Sequence, residues 1–164
     1  MASPYSKSKG RGNGIESFLQ LPHNLLDSPA WNDLSLRARD CFIRLCRKHN
    51  GHNNGDMSLP LSELRNLREL RSPRSLSKAL DELWSHGFIK LTREGGFGSQ
   101  RICNLWAVTL WPICENRDKD IKAAERTDDW KQWKPDQPAP DYVEKFPKVN
   151  AKRKKQSGKI SRNR

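Results

Sequence analysis

The segment 61–89, with the sequence LSELRNLRELRSPRSLSKALDELWSHGFI, constrains the fold more than any other part of the chain. It holds two helical patterns that meet at a break before Ser72-Pro73. A serine oxygen can accept a hydrogen bond from an unpaired backbone N–H and proline fits the first turn, so this pair predicts the start of the second helix. Apolar residues then recur at spacings of three and four, which predicts one buried face made of Leu76, Ala79, Leu80 and Leu83. Gly87 supplies the left-handed conformation that often ends a helix.

A first helix is predicted to precede this one. It begins after Pro60, whose fixed φ suits a helix start. Glu63 stands at the third position of a capping box, but proline has neither the side-chain acceptor nor the N–H that this motif needs. Its apolar positions are Leu61, Leu64 and Leu67, and a turn over 68–71 joins it to the second helix. Further upstream, Ser28-Pro29 predicts a helix start, and so does Ser35. The helix after Ser35 has a predicted inner face made of Ala38, Cys41, Phe42, Leu45 and Cys46.

A β-hairpin is predicted after the second helix. Its strands span 88–93 and 101–110, and the loop 94–100 between them places three glycines around Phe97. A short extended piece, 57–59, is of the kind that joins such a sheet. A helix, a tight turn, a capped helix and a hairpin form the layout of a winged helix-turn-helix, which presents its second helix to the DNA major groove. The predicted fold class is therefore α+β, mainly α, with a small antiparallel β wing and disordered basic tails.

Composition divides the chain into four parts. Residues 1–14 are rich in Ser, Lys and Gly and have little to bury, so they are predicted to form a disordered basic arm. The remaining parts are a winged-helix domain over 15–112, a partly ordered extension over 113–135 and a disordered basic tail over 136–164. In the extension, Trp130 and Trp133 could stack on bases or dock on a partner, or could form a short turn that folds back on the domain. We favour the fold-back interpretation.

The charge of the chain favours a polyanionic partner. The formal net charge is +12, of which residues 1–14 and 15–114 carry +3 each and residues 115–164 carry +6. The segment 145–164 has nine basic residues and no acidic one. Double-stranded DNA is the predicted partner, and the tail could also engage RNA or a nucleoprotein complex.

Basic residues recur every three or four positions across the predicted helix pair, at Arg65, Arg68, Arg71, Arg74 and Lys78. Such a row on one helical side can follow a phosphate backbone. Arg74, Ser75 and Lys78 lie near the start of the second helix, where side chains meet base edges, whereas Arg101 at the wing suits a phosphate contact. The complete set of predicted DNA-binding residues is Arg65, Arg68, Arg71, Ser72, Arg74, Ser75, Ser77, Lys78, Phe97 and Arg101.

The sequence offers no recognisable catalytic arrangement, because it has no P-loop, nucleophile elbow, His-Glu-x-x-His motif or carboxylate pair. We predict no enzyme activity and no cofactor. Cys41, Cys46, His49 and His52 form the one metal-like cluster, but their predicted positions do not converge as zinc ligands must, so we predict buried thiols and no metal. With no run of about eighteen apolar residues and no signal-peptide pattern, the expected location is cytoplasmic and nucleoid-associated, without membrane contact.

Residues 21–135 resemble helix-turn-helix proteins common in bacterial prophages and integrated elements. The resemblance is carried by the opening LPHNLLDSPAW, the loop NGHNNGD, the helix end with Gly87-Phe88-Ile89 and the later DDWKQWKP. It implies a winged-helix DNA-binding protein. The chain departs from this pattern at Pro60, in its leucine- and arginine-rich helix pair and in its basic C-terminus.

These features together predict sequence-specific binding of double-stranded DNA through a recognition helix and a wing. The predicted role is that of a transcriptional regulator from a phage or mobile element, and a homodimer is compatible with it. One alternative is an interaction or inhibitor protein that uses the winged helix as a scaffold to dock on a nucleoprotein complex. A replication-initiation accessory protein is another.

Overall fold

The computed structural model describes residues 18–96 and 102–135. In these residues the chain forms an α+β fold with four α-helices and one two-stranded antiparallel sheet. The elements are α1 (His23–Leu26), α2 (Pro29–Asp33), α3 (Leu36–Lys48), α4 (Pro73–Ser85), β1 (Ile89–Arg93) and β2 (Leu105–Val108). Three 3-10 turns lie over Leu61–Leu64, Arg117–Lys119 and Asp129–Gln132.

Serine side chains start three of the four helices. The Oγ atoms of Ser28, Ser35 and Ser72 accept hydrogen bonds from backbone N–H groups in the first turns of α2, α3 and α4. Each serine precedes its helix in an extended conformation, as a capping residue must. All three predicted helix starts are therefore confirmed.

Helices α3 and α4 pack on each other through the faces that their sequences predict. Every residue of both predicted inner faces is buried. Beside this contact Trp31, Phe42 and Phe88 form a cluster of edge-to-face rings with centroids 5.4–5.8 Å apart. The 3.6-residue period of the apolar positions thus fixes how α4 is anchored and which of its faces is left for other contacts.

The predicted first helix of the pair does not form. Only the 3-10 turn Leu61–Leu64 is present, and tight i−3 hydrogen bonds then join Leu67 N to Leu64 O and Leu70 N to Leu67 O. Pro60 provides no side-chain cap for this turn. Leu64 and Leu70 are both fully buried, yet six positions along an α-helix would place them about 120° apart around its axis. The series of turns directs both leucines into the core, which a continuous helix would not do.

The two strands pair with Ile89 opposite Val108 and Leu91 opposite Trp106. Strand β2 is shorter than the predicted 101–110. Before it begins, the backbone N–H groups of Gly96 and Ile102 donate hydrogen bonds to each other's carbonyl oxygens at the base of the hairpin loop. On the other side of β2, Met57 forms a single bridge with Trp106, so the predicted extended piece contacts the sheet at this one residue without forming a third strand. All four residues of β2 are buried, which means that both faces of this strand are covered.

The segment 113–135 packs against the helices and the sheet. Ile113 pairs with Ala124, and Ile121 is buried. Trp130 is buried and stacks parallel to Phe88, while Trp133 stacks on the ring of His86 with centroids 4.6 Å apart. The fold-back interpretation of the two tryptophans is therefore confirmed. None of the helices in the described ranges combines the length and the apolar character needed to cross a membrane.

The cysteines differ in burial, and this leads to a testable prediction. Burial raises the pKa of Cys41 and of Cys46 to about 12, so these thiols stay protonated at pH 8 and react poorly. Cys103 is exposed and Cys114 is partly buried. We expect a thiol reagent to label Cys103 rapidly and Cys114 more slowly, and to label the other two only as fast as the protein unfolds. Cys103→Ser should remove the fast phase, and labelling of more than two thiols in the native protein would contradict the burial.

Candidate nucleic-acid interface

The basic residues singled out in the sequence are exposed but do not lie along one helix. Arg65 ends the 3-10 turn, Arg68 and Arg71 lie in the following turns, and Arg74 and Lys78 lie on α4. The expectation of a row along one helical side is therefore wrong, because the first helix is replaced by turns. Arg74 and Lys78, one turn apart on α4, occupy the face opposite the buried leucines.

These five cations have no ion-pair partner among the described carboxylates, whereas eight of the other thirteen Lys and Arg side chains in the described ranges have one. Ion pairs instead hold Arg37, Arg44, Lys48, Lys90, Arg117, Lys119, Arg126 and Lys131. An exposed cation without a partner keeps its charge available to an incoming anion. The segment 65–78 therefore forms a surface of available positive charge, which we call the basic segment.

The serine hydroxyls near the start of α4 already form hydrogen bonds within the protein. Ser72 Oγ accepts the N–H of Ser75 and lies 2.7 Å from Ser75 Oγ. Ser77 is exposed. Burial raises the pKa of Asp81, and the nearby Ser77 hydroxyl opposes that rise. The helix start thus uses Ser72 as its cap, and the charged side chains around it are the freer groups.

A hollow of about 280 Å³ lies between the first turns of α3 and α4. Three cations line it, Arg37 from α3 and Arg74 and Lys78 from α4, together with the hydroxyls of Ser35, Ser72 and Ser75. The carboxylate of Glu82 also reaches this hollow, where it accepts hydrogen bonds from the backbone N–H and the hydroxyl of Ser35. The site is therefore rich in donors, and its one carboxylate is already hydrogen-bonded.

Arg37 is held by a residue of the basic segment. Its Nε and Nη2 atoms lie 3.0 and 2.6 Å from Oε2 of Glu69. The hydrogen bond from Arg37 and its charge, followed by the charges of Arg68 and Arg71, lower the pKa of Glu69. Nothing in the local sequence predicts this pair, since 32 positions separate its members.

The predicted wing residues Phe97 and Arg101 lie outside the described residues. At the base of that loop, the N–H of Gly95 donates to Oδ1 of Asn104. Arg93 ends β1 beside the same loop, and its Nε atom is buried without a hydrogen-bond partner. The part of the hairpin that is described therefore adds one cation near the loop.

A larger concave surface lies at the other end of α3, with a volume of about 830 Å³. His49 stacks on Trp111 there with ring centroids 4.1 Å apart, and Arg47 and Arg126 also line it. Burial, with a smaller contribution from His52, lowers the pKa of His49. In residues 18–96 and 102–135, no group of three or more His, Cys, Asp or Glu side chains is arranged to hold a metal ion.

Of the ten predicted DNA-binding residues, eight are described, and all eight lie at or before the start of α4 or on its first two turns. The structure adds Arg37 and Glu69 to this surface. Comparisons with protein-family models, with curated proteins and with solved structures find no match for this chain.

Proposed function

We propose that the chain is a winged helix-turn-helix protein that binds double-stranded DNA sequence-specifically and regulates transcription in a phage or mobile element. The observation that carries this proposal is the basic segment, where five exposed cations lack carboxylate partners among the described residues. Each cation that neutralises a DNA phosphate releases condensed counterions, which is a large source of affinity.

The positions of the side chains indicate which cations contact base edges and which contact phosphates. Arg74 and Lys78 project from the exposed face of α4, whose other face is fixed in the core by Leu76, Leu80 and Leu83. A helix anchored in this way can enter the major groove with its first turns leading, and an arginine there can contact guanine through two hydrogen bonds. The turns before α4 carry Arg65, Arg68 and Arg71, which suit phosphate contacts.

An interaction protein is the alternative, in which the domain docks on a nucleoprotein complex and the tail provides the positive charge. The nine basic residues of 145–164 favour this alternative. A replication accessory protein would use the same DNA contacts as the regulator. The two classes differ in which cations matter for binding.

The test begins with selection of preferred sequences from a random duplex pool. Arg74→Ala is expected to weaken binding to the selected site by about 1–3 kcal/mol and to relax preference at one base pair. Arg101→Ala is expected to weaken binding to all duplexes alike and to lower the salt dependence by about one unit. Arg117→Ala is the control, since this exposed arginine lies on the segment after β2 and pairs with Glu115.

The opposite pattern would support the interaction protein. If Arg74→Ala binds every duplex as the parent does, and removal of residues 145–164 abolishes binding, α4 does not read DNA. Circular dichroism of each variant establishes that a loss of binding does not reflect unfolding.

A further inference from the structure

The hollow between α3 and α4 brings a third cation to the two that α4 presents. Arg37 comes from the first turn of α3, while Arg74 and Lys78 come from the first two turns of α4. A single phosphate group is small enough for this space, and three cations from two helices surround it more completely than a row along one helix could. Glu82 also lines the hollow, where Ser35 donates two hydrogen bonds to its carboxylate, so three positive charges face one negative charge there.

Arg37 already binds an anion in the free protein. Two of its N–H groups converge on one carboxylate oxygen of Glu69, and the two side chains are 53% and 60% exposed. An ion pair that is so accessible to water contributes little stability and can exchange its partner readily. The same N–H groups can be offered to a phosphate oxygen, because arginine binds carboxylates and phosphates with similar geometry.

We propose that this hollow binds one backbone phosphate of a nucleic acid through Arg37, Arg74 and Lys78, and that Glu69 occupies Arg37 until the phosphate replaces it. The inference rests on the proposed function and adds a phosphate ligand from outside α4, together with an internal competitor. Glu69 lowers affinity for any duplex in two ways, because it holds Arg37 and places a negative charge beside Arg68 and Arg71. Nonspecific binding is thereby kept weak.

The test compares two variants that each remove one negative charge. Glu69→Gln is expected to bind a random-sequence duplex about three- to fivefold more tightly at low salt. Glu63→Gln is the matched control, since Glu63 pairs with Lys48 at the far end of α3, about 16 Å along the helix from Arg37. We expect its affinity to change by less than about twofold.

Arg37→Ala provides the second arm. It is expected to weaken binding and to lower the slope of log affinity against log salt by about one unit. Glu69→Gln in the Arg37→Ala background should then give a much smaller gain than in the parent. An equal gain in both backgrounds would mean that Glu69 acts only as a nearby charge, and the exchange of partners at Arg37 would be overturned.

The outcomes separate this inference from the proposed function. If the parent binds duplexes but Glu69→Gln and Glu63→Gln behave alike, the phosphate site is wrong and DNA binding stands. If the folded parent and all variants bind no duplex, both fail. Inorganic phosphate can be titrated alone while the backbone amides of α3 and α4 are followed by NMR. We expect it to bind weakly and to perturb the amides around the same hollow. Tight binding would instead indicate a site for free phosphate and would overturn the proposed contact with a nucleic-acid backbone phosphate.

Discussion

Asn54→Ala is expected to destabilise the protein by about 3–5 kcal/mol, which is the largest loss we foresee for a polar residue. Asn54 is fully buried, and its Nδ2 lies within 3.0 Å of the carbonyl oxygens of Val108, Trp111 and Pro112. Its Oδ1 accepts the N–H of Val108 at 2.8 Å. Alanine would leave the buried N–H of Val108 without its side-chain acceptor and would remove the donor shared by the three carbonyls, of which that of Val108 still accepts the N–H of Trp111. Each buried group left unsatisfied costs about 1–3 kcal/mol, and the lost packing of a fully buried side chain adds to this.

Denaturant unfolding measures this loss, and Asn53→Ala is the matched control. Asn53 is only partly buried, and its side chain accepts the N–H of Asn50 and donates to the carbonyl of Lys48. Because water can replace these partners, we expect a cost of about 1 kcal/mol. Equal losses for the two variants would show that the contacts of Asn54 with the end of β2 do not stabilise the fold.

Gly87→Ala is expected to cost about 2.5–5 kcal/mol, because the site penalises a side chain in two ways. The φ of Gly87 is +77°, a left-handed conformation that costs an L-residue about 1–2 kcal/mol. A Cβ at this position would also lie 2.7 Å from the backbone carbon of Asp129 and the backbone nitrogen of Trp130. The 3-10 turn that buries Trp130 would have to move away from the core, at a further cost of about 1.5–3 kcal/mol.

Gly51→Ala separates these two effects. Gly51 has a φ of +93°, but a Cβ there would meet no atom within 4 Å. This variant should therefore lose only the conformational contribution, about 1–2 kcal/mol. The excess loss of Gly87→Ala over Gly51→Ala in denaturant unfolding measures the docking of 121–135, and an excess near zero would contradict that docking.

The sequence by itself determined the features that depend on neighbours along the chain. Ser28, Ser35 and Ser72 cap their helices because a serine oxygen reaches an N–H only three positions ahead. The buried faces of α3 and α4 follow from the helical period, and the end of α4 follows from the freedom of Gly87 to adopt a positive φ. One local prediction was wrong: the leucine spacing over 61–70 predicted a helix, and the structure has a series of turns there.

Tertiary structure decided which polar groups are buried and which charges are free. Asn54 lies in a loop whose composition suggests only turns, and its burial depends on backbone groups 54 to 58 positions away. The contact between Arg37 and Glu69 likewise exists because α3 and the turns before α4 meet in space. An arginine is equally charged in the sequence whether or not a distant carboxylate reaches it. Only the packing of the helices, driven by burial of their apolar faces, sets those distances and leaves the basic segment available.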